Sequence, residues 1–495
     1  MWPFRKKEEA PKREKNITVK AQRNAWSASA TDRLFSNWST VSQPINQQLE
    51  GELRSLRARS RELAKNEPYL RRFFQLCRSN IVGPKGFVLR SEVMRTNGNQ
   101  DELAQDAIEA GWKAWGKRGV CCALDRFSLI EMENLICDQL FRDGELILIQ
   151  HTGPNENKFG ISFRFVDPEL MDVNHKEKLK SGHQVRMGIE TNRIGKVAAY
   201  HFHSTDSTHD HFYQIGGRGY IRIPAEFVIH RFVTEYVDQL RGYPHGAAAM
   251  LRMRMLNGYE EAELVAARNA ASTMGFIERG EDGGGFEGEE DYDDEPMIEA
   301  EPGAFHYLEN GSKLHDWKPD HPTTAYKEYV KGVLRGISSG LGVNYNTLAN
   351  DLEGVNYSSL RGGVLEDREM WKAHQNWFID QVMCDVFERW LRSALLMGAL
   401  TLPRGLPLKS SNIERYRAHS FQGRRWAWVD PQKDMKANET AIQLGLRSRS
   451  SIIREMGDDP DQVWREIERE QDTLEKLGLT MTPETEPEEV EEDGS

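Results

Sequence analysis

The chain has 495 residues, a formal net charge of -12 at pH 7, and 29% charged against 38% hydrophobic residues, with 12 tryptophans and 20 phenylalanines. That length exceeds one ordinary core and predicts several domains, and the wealth of large aromatics predicts that most of them fold. The acidic balance excludes a tight, basic nucleic-acid coat. The five scattered cysteines (Cys77, Cys121, Cys122, Cys137 and Cys384) lack C-x-x-C spacing and fit a reducing compartment.

Met1-Trp-Pro-Phe-Arg-Lys-Lys is followed by no apolar run, so no secretory signal is expected. No stretch of about 18 apolar residues offers a membrane span. Residues 1–48 are polar, with mixed charges and then Ser, Thr, Asn and Gln, and read as a flexible arm. A helix is expected from Leu49 to Ser79, with Leu53, Leu56, Leu63, Tyr69, Phe73, Phe74 and Leu76 as its stripe, ended by Gly83-Pro84-Lys85-Gly86. A strand over 87–91 follows, then helices over 101–116 and 129–142. Asp143-Gly144 turns the chain into a strand over 145–151.

The section 160–232 alternates like β-structure at 161–166, 185–189 and 197–203, with a more continuous apolar strand at 227–232. Pro244-His-Gly breaks the pattern, and an Ala- and Met-rich helix is predicted over Ala247–Ser272. Between Glu278 and Glu301 lies a glycine-containing acidic block, expected to stay exposed, with two readings: a solvated loop or a docking surface for a basic partner.

The stretch His321–Gly398 reads as helix, loop, helix. The first helix, Thr323–Leu341, carries Tyr326, Tyr329, Val330, Val333, Ile337 and Leu341 as an apolar stripe, with Lys327, Lys331 and Arg335 every four residues on another face. The loop 342–357 is rich in Asn and Gly, which tolerate tight turns. Ser358 is the expected cap of a long second helix ending near Leu396, where His374, Phe378, Val382, Val386, Trp390 and Ala394 repeat every four residues. Helices are also expected over 438–444, 449–456 and 463–477, and an acidic, disordered tail over 480–495.

Three patterns invite an enzyme reading and fail on context. Gly111–Gly116-Lys117 has phosphate-loop spacing, but Arg118 replaces the magnesium-binding hydroxyl and the intervening residues are bulky and helical. Gly336-Ile-Ser338-Ser-Gly340 spells a nucleophile elbow, yet it closes a helix instead of following a strand; its small residues read as relaxing the helix end. His201, His203, His209 and His211 form a zinc-like cluster with no cysteine nearby, and a polar hairpin end accounts for it. No catalytic, cofactor or metal site is expected.

Gly342-Val-Asn-Tyr345, Leu348, Asp351 and Gly354-Val-Asn-Tyr-Ser-Ser359 together resemble the signature of lambda-type portal proteins of tailed bacteriophages. Asn66-Glu-Pro-Tyr-Leu-Arg-Arg with Asn80–Gly83, Arg142-Asp-Gly-Glu145, Val166–Asp172, Trp371 through Trp390-Leu391, and Gly445-Leu446 with Gly457-Asp-Asp-Pro460 are similar to that family's segments in the same order, over about 50–480. The resemblance implies an α+β portal fold: an α/β wing, long stem helices, a small clip with strands, a tunnel loop and a helical C-terminal crown. Laid on this chain, the wing is 49–243, one stem helix 244–272, the clip with its acidic insert 273–320, the second stem helix 321–341, the tunnel loop 342–357, the long wing helix 358–398 and the C-terminal wing and crown 399–479.

The resemblance further implies a homo-oligomeric ring, usually of twelve subunits, at one capsid vertex of the virion, assembled in the host cytoplasm. Double-stranded DNA passes through it during packaging and ejection. Its partners are the terminase large subunit, the major capsid protein and head-completion or adaptor proteins, and it is not an enzyme. Sliding DNA calls for weak contacts inside an acidic protein, so Lys327, Lys331 and Arg335, with Asn344, Tyr345, Asn346 and Asn350 on the loop, are the DNA-channel candidates. The alternatives are ion pairing with a neighbouring subunit for the cations and turn formation for the asparagines. The terminase or adaptor docking candidates are Glu287, Glu289, Glu290, Asp291, Asp293, Asp294 and Glu295 in the clip insert. Two other readings remain: a non-portal scaffold or adaptor acting through 278–301, and a hydrolase using Ser338 or a His201–His211 metal cluster.

Overall fold

The four-residue repeat of Phe378, Val382, Val386, Trp390 and Ala394 decides the architecture, because it gives one helix a deeply buried face along its C-terminal half. In a computed structural model describing residue 33 and residues 39–203, 219–272, 276–278, 313–315, 325–426, 431–456 and 460–477, that helix is the spine against which mixed helix and sheet are packed.

The N-terminal elements are α1 (Ile45–Asn66), α2 (Pro68–Cys77), β1 (Val88–Ser91), α3 (Glu102–Trp115) and α4 (Leu129–Asp143). Strands β2 (Leu146–Thr152), β3 (Ile161–Phe165), β4 (Lys176–Lys178), β5 (Gln184–Arg186), β6 (Ile189–Thr191), β7 (Val197–His203), β8 (Tyr220–Pro224) and β9 (Val228–Arg231) follow. Next come α5 (Ala247–Ser272), β10 (Phe276–Glu278), β11 (Lys313–His315), α6 (Ala325–Leu341), α7 (Tyr345–Ala349), α8 (Tyr357–Phe378) and α9 (Cys384–Leu396). The C-terminal elements are α10 (Ile413–Tyr416), β12 (His419–Gln422), α11 (Pro431–Gln443), α12 (Arg449–Met456) and α13 (Pro460–Leu477).

Among the described residues the strand pairs are antiparallel: β3-β2-β9, the meander β4-β5-β6-β7-β8, β1 with β12, and β10 with β11. Helices α8 and α9 are continuous through one widened turn at Ile379–Met383, about 60 Å in all at 1.5 Å per residue. The wide turn leaves the Gln381 carbonyl open to Arg231 Nε at 2.8 Å, and the same guanidinium reaches Asp385 at 2.9 Å, which ties the spine to β9. Around Trp390 the core is aromatic: Trp112 lies edge-on at 5.1 Å, and Trp115 donates its indole N–H to the Ile161 carbonyl at 2.9 Å.

Several expectations are corrected. The helix expected from Leu49 to Ser79 is two, because Glu67 is extended (φ -104°, ψ 117°) and Pro68 starts α2 with the Glu67 carboxylate capping the Leu70 amide at 2.5 Å. The first helix begins at Ile45, inside the segment read as an arm. Residues 185–189 are a hairpin: Met187 (φ 49°) and Gly188 (φ 79°) reverse the chain between β5 and β6. Asn356, and not Ser358, caps α8, accepting the Ser359 amide at 2.8 Å.

The Arg142–Glu145 turn is the most constrained point. Gly144 has φ 87°, and a Cβ there would sit 2.1 Å from the Tyr243 backbone. The turn delivers Glu145 into a site with no solvent exposure, where its carboxylate meets Arg57 at 2.6 Å, Arg241 at 2.5 Å and His230 at 3.0 Å. Burial alone would raise the Glu145 pKa, but Arg241 and Arg57, with His230, hold it well below the usual carboxylate range. Arg241 also donates to the Met171, Met187 and Pro168 carbonyls. Glu145 with Arg241 thus joins α1, β2, β9, the segment ahead of β4 and the β5–β6 turn.

Candidate channel surface

Helices α5 and α6 pack as an antiparallel pair. Met253 and Leu256 on α5 and Leu334, Ile337 and Leu341 on α6 are buried, and Tyr259 lies 4.7 Å from the Tyr329 ring. Gly336 and Gly340 serve this packing, which corrects their reading as residues that relax the helix end. A Cβ on Gly340 would lie 3.3 Å from the Ala249 side chain, and one on Gly336 would strike the Arg252 guanidinium. Ser338 is buried in the last turn of α6 and donates to the Leu334 carbonyl at 2.9 Å, so no strand-to-helix elbow presents it as a nucleophile.

Beyond Leu341 the chain reverses. The Val343 amide bonds the Ser338 carbonyl at 3.1 Å, and His245 on the α5 side approaches the Leu341 carbonyl at 3.3 Å. The stretch read as an open loop contains α7. Asn344 caps it, accepting the Asn346 amide at 2.9 Å, while the Asn344 amide donates to Asp367 on α8, also at 2.9 Å. Leu348 buries itself, and Asn350 ends α7 in the left-handed region (φ 56°). Asn344 and Asn350 therefore do turn work. Asn346 is half-buried, its amide held by that cap.

The structure brings the three cations onto this reversed segment. Lys327 Nζ pairs with Glu353 at 2.5 Å, Lys331 Nζ lies 3.8 Å from Asp351, and the Arg335 guanidinium stands 5.7 Å over the Tyr345 ring. Tyr345 donates its hydroxyl to Asp351 at 2.7 Å. Burial, and then that bond, push the phenol up to about 12. The Tyr345 hydroxyl, and next the Glu353 amide, lower Asp351 below its ordinary value. Hydrogen bonding to Glu353 raises Lys327 above its ordinary value.

Within this chain Lys327 and Lys331 thus meet carboxylates of the adjoining loop. Sequence reasoning held Asp351 only as part of the family signature and missed Glu353 and Asp367. The lysines' four-residue spacing and the two acids set one residue apart were visible, but which acid meets which lysine depends on the reversal through α7.

Other candidates separate. His201 approaches Glu190 at 3.0 Å, and His203 lies 3.5 Å from Asp172. Bonding to Arg222 first, against burial, and then to His183 and His201 brings Glu190 down to about 2. His209 and His211 lie outside the described residues. Among the described residues no group of three or more His, Cys, Asp or Glu is placed to hold a metal ion, and no helix is long and apolar enough to cross a membrane. Glu287, Glu289, Glu290, Asp291, Asp293, Asp294 and Glu295 also lie outside the described residues. Of their region, β10 and β11 are described, pairing Phe276 with His315.

The class is given by comparison of the whole chain. The model of the phage portal protein, lambda family, matches residues 31–375, and the chain belongs to that family of structural proteins. A probable portal protein of Halomonas phage phiHAP-1 is 33% identical over 430 residues, covering 86% of this chain and 81% of the relative. Portal protein B of Escherichia phage lambda is 23% identical over 494 residues, covering 90% of this chain and 88% of its own. A solved structure described as the neck of an empty GTA particle, computed with C6 symmetry, aligns at TM-score 0.43 and 14% identity over 87% of this chain and 99% of that one, a likeness too loose to support structural argument.

Proposed function

We propose that this portal protein assembles into a ring, usually of twelve copies, at one vertex of the virion capsid, and that double-stranded DNA passes along its axis with α6 and residues 342–356 facing the duplex. In this reading α5 and α6 are the stem, 342–357 the tunnel loop, 273–320 the clip, and the sheets with the α8–α9 spine the wing. The clip, with its acidic insert, meets the terminase large subunit during packaging and adaptor proteins afterwards, and the wing meets the major capsid protein.

The observation that carries the reading is the α6–loop surface itself. It is a line of three cations, two of them balanced by carboxylates of the adjoining loop, in a chain of net charge -12, which suits a duplex that must be guided without being gripped. A second observation supports assembly. Leu251, Met255, Gly258, Ala262 and Val265 form one exposed stripe on α5, opposite the face packed on α6. A second copy would cover it.

Negative-stain imaging and native mass spectrometry of the purified protein test this. A closed ring with a central hole is expected, and Met255→Glu is expected to reduce the ring population sharply. A compact monomer at assembly concentration would overturn the reading. Loss of partner binding on deleting 278–301, in a protein that forms no ring, would favour the scaffold alternative.

A further inference from the structure

We propose that Asp351 and Glu353 act as internal stand-ins for DNA phosphate: in the state described they occupy Lys331 and Lys327, and a passing duplex displaces them, so that the loop and the duplex compete for the same cations. The inference rests on the channel reading and deepens it by naming how the site is regulated.

Four features point this way. First, the loop meets α6 through a ladder of matched charges. Lys327 meets Glu353, Lys331 meets Asp351, and Arg335 stacks over Tyr345, whose hydroxyl holds Asp351. A carboxylate and a phosphodiester each offer a lysine two oxygens and one negative charge, so either can fill that place.

Second, the outer pair is open to water: the Lys327 and Glu353 side chains are 60% and 67% exposed. Exposed pairs of this kind are weak and exchange readily. Third, residues of positive φ flank the two acids, Asn350 (56°) and Gly354 (68°), while α7 ahead of them is anchored by Leu348 and by Asp367. Movement of 350–356 therefore leaves α7 in place. Fourth, Leu352 stands 63% exposed between the two acids, so the tip that carries them has no apolar seat among the described residues.

The consequence is a cation line that stays neutralised when no duplex is present and is freed as phosphates arrive. Each lysine exchanges a carboxylate for a phosphate, one anion for another, so the net change in its pairing is small. The duplex is then neither held nor repelled as it advances, and the loop moves outward whenever its acids are displaced.

The test uses assembled rings and short duplex DNA, with affinity read by fluorescence anisotropy over a salt series and contact read by a photo-crosslinking amino acid in place of Leu352. Asp351→Asn and Glu353→Gln are each expected to tighten binding about two- to five-fold at ~0.1 M salt. The gain should vanish toward ~1 M, where the screening length falls to about 3 Å. Adding Lys327→Gln to Glu353→Gln should abolish the gain, and Glu328→Gln, one residue along the same helix, should give less than half of it. Hydrogen exchange at 351–356 should rise in Glu353→Gln without DNA, and in the unsubstituted ring when DNA is added.

Rings that crosslink DNA at position 352 yet show no gain in either variant, or an equal gain with Glu328→Gln, overturn the exchange while leaving the channel reading intact. Rings that form but give no crosslink and no binding in any variant overturn both.

Discussion

The same chemistry appears twice in this chain, to opposite effect. Around Glu145 a carboxylate meets two arginines and a histidine with no solvent exposure on either side of the arginine pairs. Along α6 two carboxylates meet two lysines, but the Lys327–Glu353 pair is more than half exposed. Burial separates a fastener from an exchangeable pair. Inside, an ion that loses its partner has no water to fall back on; at the surface it has water, salt or a phosphate. The planar guanidinium suits the first use, because Arg241 satisfies Glu145 and three carbonyls at once. The single-point ammonium of lysine suits the second.

The most direct way to break this contrast is to remove Glu145. Glu145→Ala leaves Arg57, Arg241 and His230 buried around a missing charge, and a loss of about 3–5 kcal/mol is expected. Urea denaturation, or failure to recover soluble protein, reads it out. Gly144→Ala should fall in the same range, since the residue is left-handed and its missing Cβ would collide with the Tyr243 backbone. A Glu145→Ala protein as stable as the parent would mean that the buried cluster is not a fastener.

A buried carboxyl and a half-buried histidine, neither with an ionic partner, sharpen the contrast, because they respond to pH in opposite directions. Burial, only partly offset by the Phe87 amide, pushes Glu133 up to about 8. A raised carboxyl binds a proton more tightly when folded, so its contribution is full below the unfolded value near 4.5 and is lost as pH climbs through 8. Glu133→Gln should therefore remove a fall in stability on the order of 3 kcal/mol between pH 5 and pH 9.

His374 runs the other way. Burial, and then the neighbouring His245 ring 6.0 Å away, bring it down to about 4. A depressed histidine prefers to be neutral when folded, so stability is lost as pH falls from about 6.5 towards 4. His374→Phe should remove roughly 2 kcal/mol of that acid-side loss. Thermal melts across pH 4–9 read both, and two flat profiles in the parent protein would refute both.

How much of this was legible in the sequence follows from the range of the interactions. Periodicity gave α5 its bounds, Ala247–Ser272, and gave β7 its bounds, because an apolar face repeats within a few residues. It also gave the spine, although not the widened turn at Ile379–Met383 that Arg231 fills from β9. The break at Glu67–Pro68 was signalled by the proline and overridden by the continuous stripe on either side. The hairpin at Met187-Gly188 was not signalled, since a methionine at positive φ is unusual and is held there in part by Arg241 bonding its carbonyl. Of the candidate surface, the cations and the loop were legible as residue types. Their partners Asp351, Glu353 and Asp367 were not, because the reversal through α7 pairs them and no spacing rule crosses a turn whose geometry is unknown.

The smallest expected effect sharpens the comparison most. Lys327→Gln and Glu353→Gln, alone or together, should leave the urea midpoint within measurement error of the parent, since both groups remain hydrated when the pair is broken. Chemical denaturation with matched slopes would check it. Taken alone, so small an effect would suggest an idle pair. Set beside the Glu145 cluster, it is what an exchangeable pair requires: one strong enough to resist a rival phosphate would hold the loop shut and leave nothing free to meet a moving duplex. A stability loss from Glu353→Gln approaching that of Glu145→Ala would show that the loop is fastened, and the distinction between the two regions would collapse.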